Sequence, residues 1–299
     1  MVLFTVFTPT FNRKKYLKSV YHSLLDQDPN LFEWLIIDDG STDNTYDLVN
    51  TLKQNSSFEI IYHYQKNSGK HIAHNQALKY ANGEFVLFLD SDDELLPKSI
   101  EYVANIWKNT NPREKNEISG FLGHTINKNK KIIGKDWNGL KGNFHLHDLF
   151  FKNLLLGEKM PIYKLNILRN FPFPTENELI KFIPEGVIWF EISKNHKVHL
   201  LQKPIRFYRE NTLDSLMKLN KKFISQIDGK ILLQKQFEYF LNDYFFFNIL
   251  ISTKILINKS LFSLLTKKGI FNDLKKFKIY IRIYYFILLP LSFIKLILI

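Results

Sequence analysis

Four runs of β-branched and aromatic residues, each closed by a polar loop, recur along the first third of the chain, and that repetition leaves few folds open. The first run is residues 2–8, closed by Pro9, Thr10, Phe11, Asn12 and Arg13. Residues 14–27 follow, with Leu17, Val20 and Leu24 at helical spacing. Residues 32–37 form a second run, closed by Asp38-Asp39-Gly40-Ser41-Thr42-Asp43, in which Gly40 turns the chain and Ser41, Thr42 or Asp43 caps a helix reaching about Gln54. Residues 59–64 lead through Gln65-Lys66-Asn67-Ser68-Gly69-Lys70 into a helix ending near Tyr80, and residues 85–89 end in Asp90-Ser91-Asp92-Asp93. Strands alternating with helices of this length predict an α/β fold, with right-handed crossovers and a parallel sheet covered on both faces. All four loops then lie at the carboxyl edge of the sheet, where ligands bind. Asp38, Asp39, Asn67, Lys70, Asp90 and Asp92 are expected to converge there.

Three carboxylates within four residues repel one another, and a cation between them removes the penalty. The plainer reading is a turn whose acids cap the helix expected after Pro97. With no cysteine there is no disulfide framework, thiolate nucleophile or cysteine zinc site. The pairs His71 with His74 and His145 with His147 lack carboxylates at metal-motif spacing and read as satisfied polar residues.

Beyond Pro97 a helix is expected to about Asn109, then a polar break at Asn111-Pro112-Arg113-Glu114. Less regular segments follow: short strands at 118–126 and 131–133, a helix at 145–156, and a stretch from 163 to 171 running into an extended Pro172-Phe173-Pro174. A helix at 185–193 and short strands at 198–201 and 205–208 complete this part. The formal charge of +12 is concentrated at one end. Residues 1–200 hold 24 Lys and Arg against 23 Asp and Glu, whereas residues 201–299 hold 17 against 6. That last third reads as helical, rich in Phe, Ile, Leu and Lys, and broken near Gly229 and Gly269. Residues 279–299 are the most apolar, but Arg282, Pro290 and Lys295 leave too short an uncharged run for a bilayer crossing, which needs about 20 residues. A segment lying on an anionic membrane, helped by Lys267, Lys268, Lys275, Lys276 and Lys278, competes with a helix packed on the domain or on a second copy. Residues 2–8 are strand-like and lack the basic and apolar regions of a secretory leader, so a cytoplasmic location is expected.

The segments Phe7-Thr8-Pro9-Thr10-Phe11-Asn12-Arg13, Ile37-Asp38-Asp39-Gly40-Ser41-Thr42-Asp43, Asn67-Ser68-Gly69-Lys70 with Ala73 and Asn75, and Leu89-Asp90-Ser91-Asp92-Asp93 resemble the family-2 inverting glycosyltransferases of GT-A fold. Gly157-Glu158-Lys159 and Phe182-Ile183-Pro184-Glu185-Gly186 with Trp189 are similar to a bacterial surface-polysaccharide subgroup. The resemblance fades near Asn211. It implies a Rossmann-like, mostly parallel sheet flanked by helices, with a GT-A domain over residues 1–212 (1–110 nucleotide-binding, 111–212 for the acceptor); the helical extension expected over 213–299 rests on its own residue pattern. It also implies transfer of a sugar from a nucleotide sugar, UDP-sugar first, to a saccharide or lipid-linked glycan.

In that scheme Asp92 binds Mn²⁺ or Mg²⁺, Asp90 shares the metal or faces the ribose beside Ser91, and Asp93 supports or caps a helix. Asp38 or Asp39 reads the base, the two also serving a turn. Thr8, Pro9, Asn12, Arg13, Asn67 and Lys70 surround the donor. An acceptor hydroxyl attacking with inversion needs a general base, which the resemblance places at Glu185, with Glu158 next. Glu158, Lys159 and Trp189 would meet the acceptor, Trp189 by stacking unless it is a core residue. The partners are the donor, the glycan acceptor and an anionic membrane, the enzyme being peripheral on the inner face of the plasma membrane; nucleic acid is not expected. A sugar-nucleotide nucleotidyltransferase would want a glycine-rich first loop, and residues 8–13 have no glycine. A non-catalytic, membrane-bound assembly module is the other alternative.

Overall fold

The computed structural model describes residues 2–137, 139–175, 180, 182–209, 226–266 and 274–297. Strands β1 (Phe4–Thr10), β2 (Phe32–Asp38), β3 (Glu59–Tyr64) and β4 (Phe85–Phe88) alternate with helices α1 (Lys14–Leu25), α2 (Thr45–Gln54) and α3 (Lys70–Tyr80). They pair in parallel in the order β3-β2-β1-β4, as alternation with right-handed crossovers predicts. Alternate residues serve opposite faces. On β2, Phe32, Trp34 and Ile36 join the core under α1, α2 and α4 (Ser99–Asn109), while Leu35 and Ile37 join the core under α3.

β1 runs two residues past the expected end, through Pro9, although it is an inner strand. The Leu89 N–H donates to the Phe7 carbonyl at 3.0 Å and the Asp39 N–H to the Thr10 carbonyl at 2.8 Å. Odd positions of β1 therefore face β4 and even ones β2, so the N–H that Pro9 lacks would point beyond the end of β4 at Phe88. Buried Glu33 ties the other end of the sheet, accepting from the Thr5 hydroxyl at 2.6 Å and from the Asn82 backbone and side chain at 2.7 and 2.9 Å.

The second half changes the sheet's character. After β5 (Glu94–Leu95), α4 and α5 (Pro112–Glu117) come β6 (Ile118–Ile126), β7 (Asn143–Phe144), α6 (Leu146–Phe151), β8 (Lys159–Lys164), α7 (Leu165–Leu168), α8 (Gly186–Ser193) and β9 (Lys197–Phe207). The order β3-β2-β1-β4-β8-β6-β9-β5 continues the parallel half, but β8 is antiparallel to both β4 and β6. Several expected boundaries shift. The strand at 131–133 is a single bridge from Ile132 to Ile126, and the two strands expected within 198–208 are one. The helix expected over 145–156 is only α6, and residues 163–168 finish β8 and form α7.

Among the described residues of the last third are α9 (Ile227–Tyr244), α10 (Ile249–Leu265) and α11 (Ile279–Ile297). Phe240, Leu241, Ile255, Leu256, Ile281 and Tyr285 enter the same core as α3 and α8. Buried Glu238 binds Lys259 at 3.3 Å and Lys276 at 2.8 Å, clamping α9 to α10 and to the turn before α11. Gly229 does not break a helix. It lies inside α9, where a Cβ would come within 2.2 Å of the Phe182 carbonyl oxygen. α9 thus backs the segment that leads to Glu185. Gly269, Lys267, Lys268 and the boundary near residue 212 fall outside the described residues. No described helix is long and apolar enough to cross a membrane.

Candidate active site

Four loop ends meet at the carboxyl edge of the parallel strands. Arg13 precedes α1, Lys70 opens α3, Asp90 and Asp92 follow β4, and Glu185 immediately precedes α8. Lys70 Nζ lies 2.6 Å from Asp90 Oδ1 and 2.8 Å from Glu185 Oε1, and Arg13 Nη1 lies 2.9 Å from Asp92 Oδ2. Two cations thus compensate three carboxylates drawn from segments up to about 170 residues apart in the chain. Burial works against the Lys70 ammonium, but Asp90 and Glu185 outweigh it and hold its pKa above the ordinary value. The same pairing overcomes the burial of Asp90 and holds its carboxyl below the usual range.

The Glu185 backbone is fixed by the first turn of α8, its carbonyl accepting from the Ile188 and Trp189 N–H groups at 3.0 and 3.2 Å. Its side chain remains partly accessible, 30% exposed.

Asp93 is the buried member of the acidic run and turns away from the others. Arg206 of β9 holds its carboxylate at 3.2 Å, and the Arg209 N–H donates to it. Burial pushes its pKa up to about 7, Arg206 opposing and the charges of Asp90 and Asp92 adding. Asp90 and Asp92, paired with Lys70 and Arg13, carry hard carboxylate oxygens of the kind suited to Mg²⁺ or Mn²⁺. No group of three or more acidic, histidine or cysteine side chains able to hold a metal occurs among the described residues. Two carboxylates fit an ion that completes its shell with phosphate oxygens and water.

Asp38 and Asp39 knit the loops together. Asp38 accepts from the Ser41 N–H at 2.8 Å and the Tyr62 hydroxyl at 2.7 Å. Asp39 accepts from Gln65 Nε2 at 2.7 Å and from the Ser68 and Gly69 N–H groups at 2.7 and 2.9 Å. Gly40, at φ +89°, passes so close to Asn67 that a Cβ would meet its backbone nitrogen at 2.9 Å. Asn12, also left-handed at φ 52°, accepts from the Thr42 N–H at 2.7 Å. Asn67 is exposed on the rim, Pro9 is half-buried, and Ser91 is buried between the two open acids. Thr8 is fully buried, its hydroxyl accepting from the Trp34 indole at 3.0 Å, so only its backbone is left to face a ligand.

Two residues expected on the acceptor side are engaged within the fold. Trp189 is a core residue, its ring stacked on Tyr163 at 4.6 Å and set edge-on to Phe88 at 5.0 Å, with no open face for a sugar. Lys159 spends its ammonium on the Ile133 and Lys135 carbonyls at 3.1 and 2.8 Å and lies over the Trp137 ring, and burial lowers its pKa to about 8. Glu158 stays exposed, 3.5 Å from Arg206. Arg206 and Tyr208 were not anticipated. Burial raises the Tyr208 pKa, and the charges of Glu158, Asp93, Asp92 and Asp90 add to it, so its phenol faces the acidic cluster. A cation within the apolar run of β9 was the signal for Arg206, since a buried charge requires a partner.

Behind Lys70 the His74 ring stacks on Phe88 at 5.0 Å, and neither ring nitrogen has a hydrogen-bond partner among the described residues. Burial, with the Lys70 charge, pushes its pKa down to about 3. Burial likewise takes His124 and His147 down to about 4. In the unfolded chain each titrates near pH 6.5. Below that value the unfolded state takes up protons that the folded state refuses, so the stability present above about pH 6.5 is lost as pH falls toward 4. The thermal midpoint followed by circular dichroism is expected to drop between pH 7 and about pH 5, and less steeply in His74→Phe. A flat midpoint over that interval contradicts the buried neutral imidazoles.

Residues 5–140 match the family model described as glycosyl transferase family 2. The chain is also 30% identical over 223 residues to a GalNAc(5)-diNAcBac-PP-undecaprenol beta-1,3-glucosyltransferase of Campylobacter jejuni, an alignment covering 71% of this chain and 66% of that protein. Residues 5–140 form a glycosyl transferase family 2 domain. The chain spans less than two thirds of the length of the first curated relatives it matches, 42% of a teichuronic acid biosynthesis glycosyltransferase of Bacillus subtilis among them. Its fold is that of two solved glycosyltransferases. The Staphylococcus aureus TarS fragment 1–349 in complex with UDP superposes with a TM-score of 0.58 at 21% identity, over 82% of this chain and 72% of that one. The Pyrobaculum calidifontis mannosyltransferase PcManGT in complex with GDP-Man and Mn²⁺ gives 0.53 at 15% identity, over 98% and 86%. Arg13, Asp38, Asp39, Lys70, Asp90 and Asp92 all lie within the matched residues and at one edge of the sheet.

Proposed function

We propose that this chain moves a sugar, with inversion, from a nucleotide-sugar donor to a saccharide or lipid-linked saccharide of a bacterial surface glycan, with UDP-sugar the first donor to test. One observation carries the reading: Lys70 joins Asp90, on the loop proposed to hold the donor, to Glu185, the proposed base. Inverting transfer needs those two groups on opposite sides of one anomeric carbon. The C. jejuni relative's undecaprenol-linked substrate supports a lipid-linked acceptor, and the UDP bound to the TarS fragment supports the nucleotide. A lipid-linked acceptor in turn places the chain peripherally at the inner face of the plasma membrane.

Asp92, with Asp90, would hold Mn²⁺ or Mg²⁺, which when bound supplies positive charge to the leaving diphosphate. Arg13 and Lys70 add fixed positive charge on either side of the donor. Asp38 or Asp39, from loops shared with Asn67, Asn12, Pro9 and the Thr8 backbone, reads the base. Glu185 accepts the proton of the attacking hydroxyl as its oxygen bonds to the anomeric carbon and the bond from that carbon to the diphosphate breaks. The nucleoside diphosphate leaves with the bonding electron pair. A screen of nucleotide sugars with Mn²⁺ is expected to raise the thermal midpoint for one donor in particular, since a ligand of the folded state stabilises it by mass action. The same donor should release its nucleoside diphosphate when acceptor is added. A chain stabilised by no nucleotide sugar, with or without Mn²⁺, contradicts the reading.

A further inference from the structure

Helix α11 is apolar on two opposite faces, and among the described residues only one of them is packed against the domain. Ile281, Tyr285, Leu288 and Ser292 are buried against the domain. Ile279, Ile283, Phe286, Ile287, Leu291 and Ile294 are each between 46% and 66% exposed. At 100° per residue the exposed set falls within an arc of about 140°, centred opposite the buried set. The stripe continues at its start onto a neighbouring corner, where the Phe246 ring, 73% exposed, lies 4.7 Å from that of Tyr280, with Leu250, 79% exposed, close by. A soluble monomer seldom leaves so long a continuous apolar surface open to water.

Charge selects what covers it. Residues 251–299 contain nine Lys and Arg and a single acid, Asp273. Lys254, Lys275, Lys276 and Lys278 are exposed around the stripe and the turn before it. A second copy of the chain would bring an equally positive surface, so pairing stripe to stripe sets like charges together. An anionic bilayer brings the opposite charge together with an apolar interior. Arg282 and Lys295 interrupt the apolar run of the helix, and no described helix is long and apolar enough for a crossing. Lying in the plane of the interface, it would bury the exposed stripe among the acyl chains while the lysines remain at the headgroups and Phe246 and Phe286 at the boundary.

We propose that α11, with the Phe246–Leu250 corner, is the surface by which the protein sits on an anionic lipid bilayer. The proposal deepens the reading above, resting on it only for the reason a membrane is needed. The test is flotation with phosphatidylcholine vesicles with and without phosphatidylglycerol, in the absence of donor and acceptor, so its outcome is independent of catalysis. The full chain is expected to float with the anionic vesicles and to be released by salt. The double variant Ile283→Glu, Ile287→Glu, both sites exposed, is expected to lose at least about tenfold of the bound fraction while keeping its circular dichroism and thermal midpoint. Equal flotation with neutral vesicles, or none with either, overturns the proposal. So does a wild-type dimer that the double variant turns into a monomer, which would make a second copy the occupant.

Discussion

Replacing Asp92 with asparagine is expected to lower sugar transfer by about 10³-fold, equivalent to about 4 kcal/mol of lost transition-state stabilisation. The change keeps the shape of the side chain and removes the charge that Arg13 holds at 2.9 Å. A divalent ion held as proposed would compete with Arg13 for Asp92 and with Lys70 for Asp90. Removing one of two carboxylates therefore weakens the ion far more than it weakens the nucleotide. Titration of Mn²⁺ in the presence of the nucleoside diphosphate should show the loss directly, apart from turnover. Asp93→Asn provides the contrast. Asp93 is buried on Arg206, and taking its charge away leaves the guanidinium with Glu158 at 3.5 Å as its remaining carboxylate among the described residues, beside the Thr125 hydroxyl and the Lys159 carbonyl, so stability should fall by about 3 kcal/mol while Mn²⁺ affinity holds. If Asp92→Asn binds Mn²⁺ as tightly as the parent and Asp93→Asn does not, the two roles are reversed.

That division between neighbouring acids shows what could be read from the residues. The parallel half of the sheet follows from apolar runs of the right length separated by helical spacing, because a strand buried on both faces leaves that mark at every position. Convergence of Arg13, Lys70 and the acids follows from handedness alone. Which acid would be buried did not follow, because it depends on Arg206, more than 110 residues away in sequence, reaching Asp93 from β9, the strand that pairs with β5. The antiparallel entry of β8 between β4 and β6 was hidden for a similar reason: its pairing is chosen by partners distant in sequence. For Trp189 the sequence left an acceptor platform and a core residue both open, and the ring lies in the core with Val187, Ile188, Phe190 and Ile192 of α8. The packing reading of the last segment describes one face of its helix, where Ile281 and Tyr285 are buried, while Ile283 and Ile287 face outward and form the face proposed for the membrane.

Glu185→Gln is expected to reduce kcat by about 10³-fold with little change in the donor KM, the range general-base removal commonly spans being about 10²–10⁴. The amide keeps the size of the side chain, and its carbonyl oxygen can still accept from Lys70, so the start of α8 should hold its place. What disappears is the ability to take a proton from the acceptor hydroxyl. Lys70 makes the outcome diagnostic, since it binds Glu185 and Asp90 together. If Glu185 served only to position Lys70 for the donor, glutamine would raise the donor KM and leave kcat nearly intact, and Lys70→Met would reproduce that pattern. If Glu185 is the base, kcat falls for glutamine and the donor KM rises only for Lys70→Met. Glu158→Gln, at an exposed carboxylate whose nearest cation is Arg206, should retain most of the turnover. A fully active Glu185→Gln protein alongside an inactive Glu158→Gln protein would move the base to the other edge of the acidic cluster, next to Tyr208.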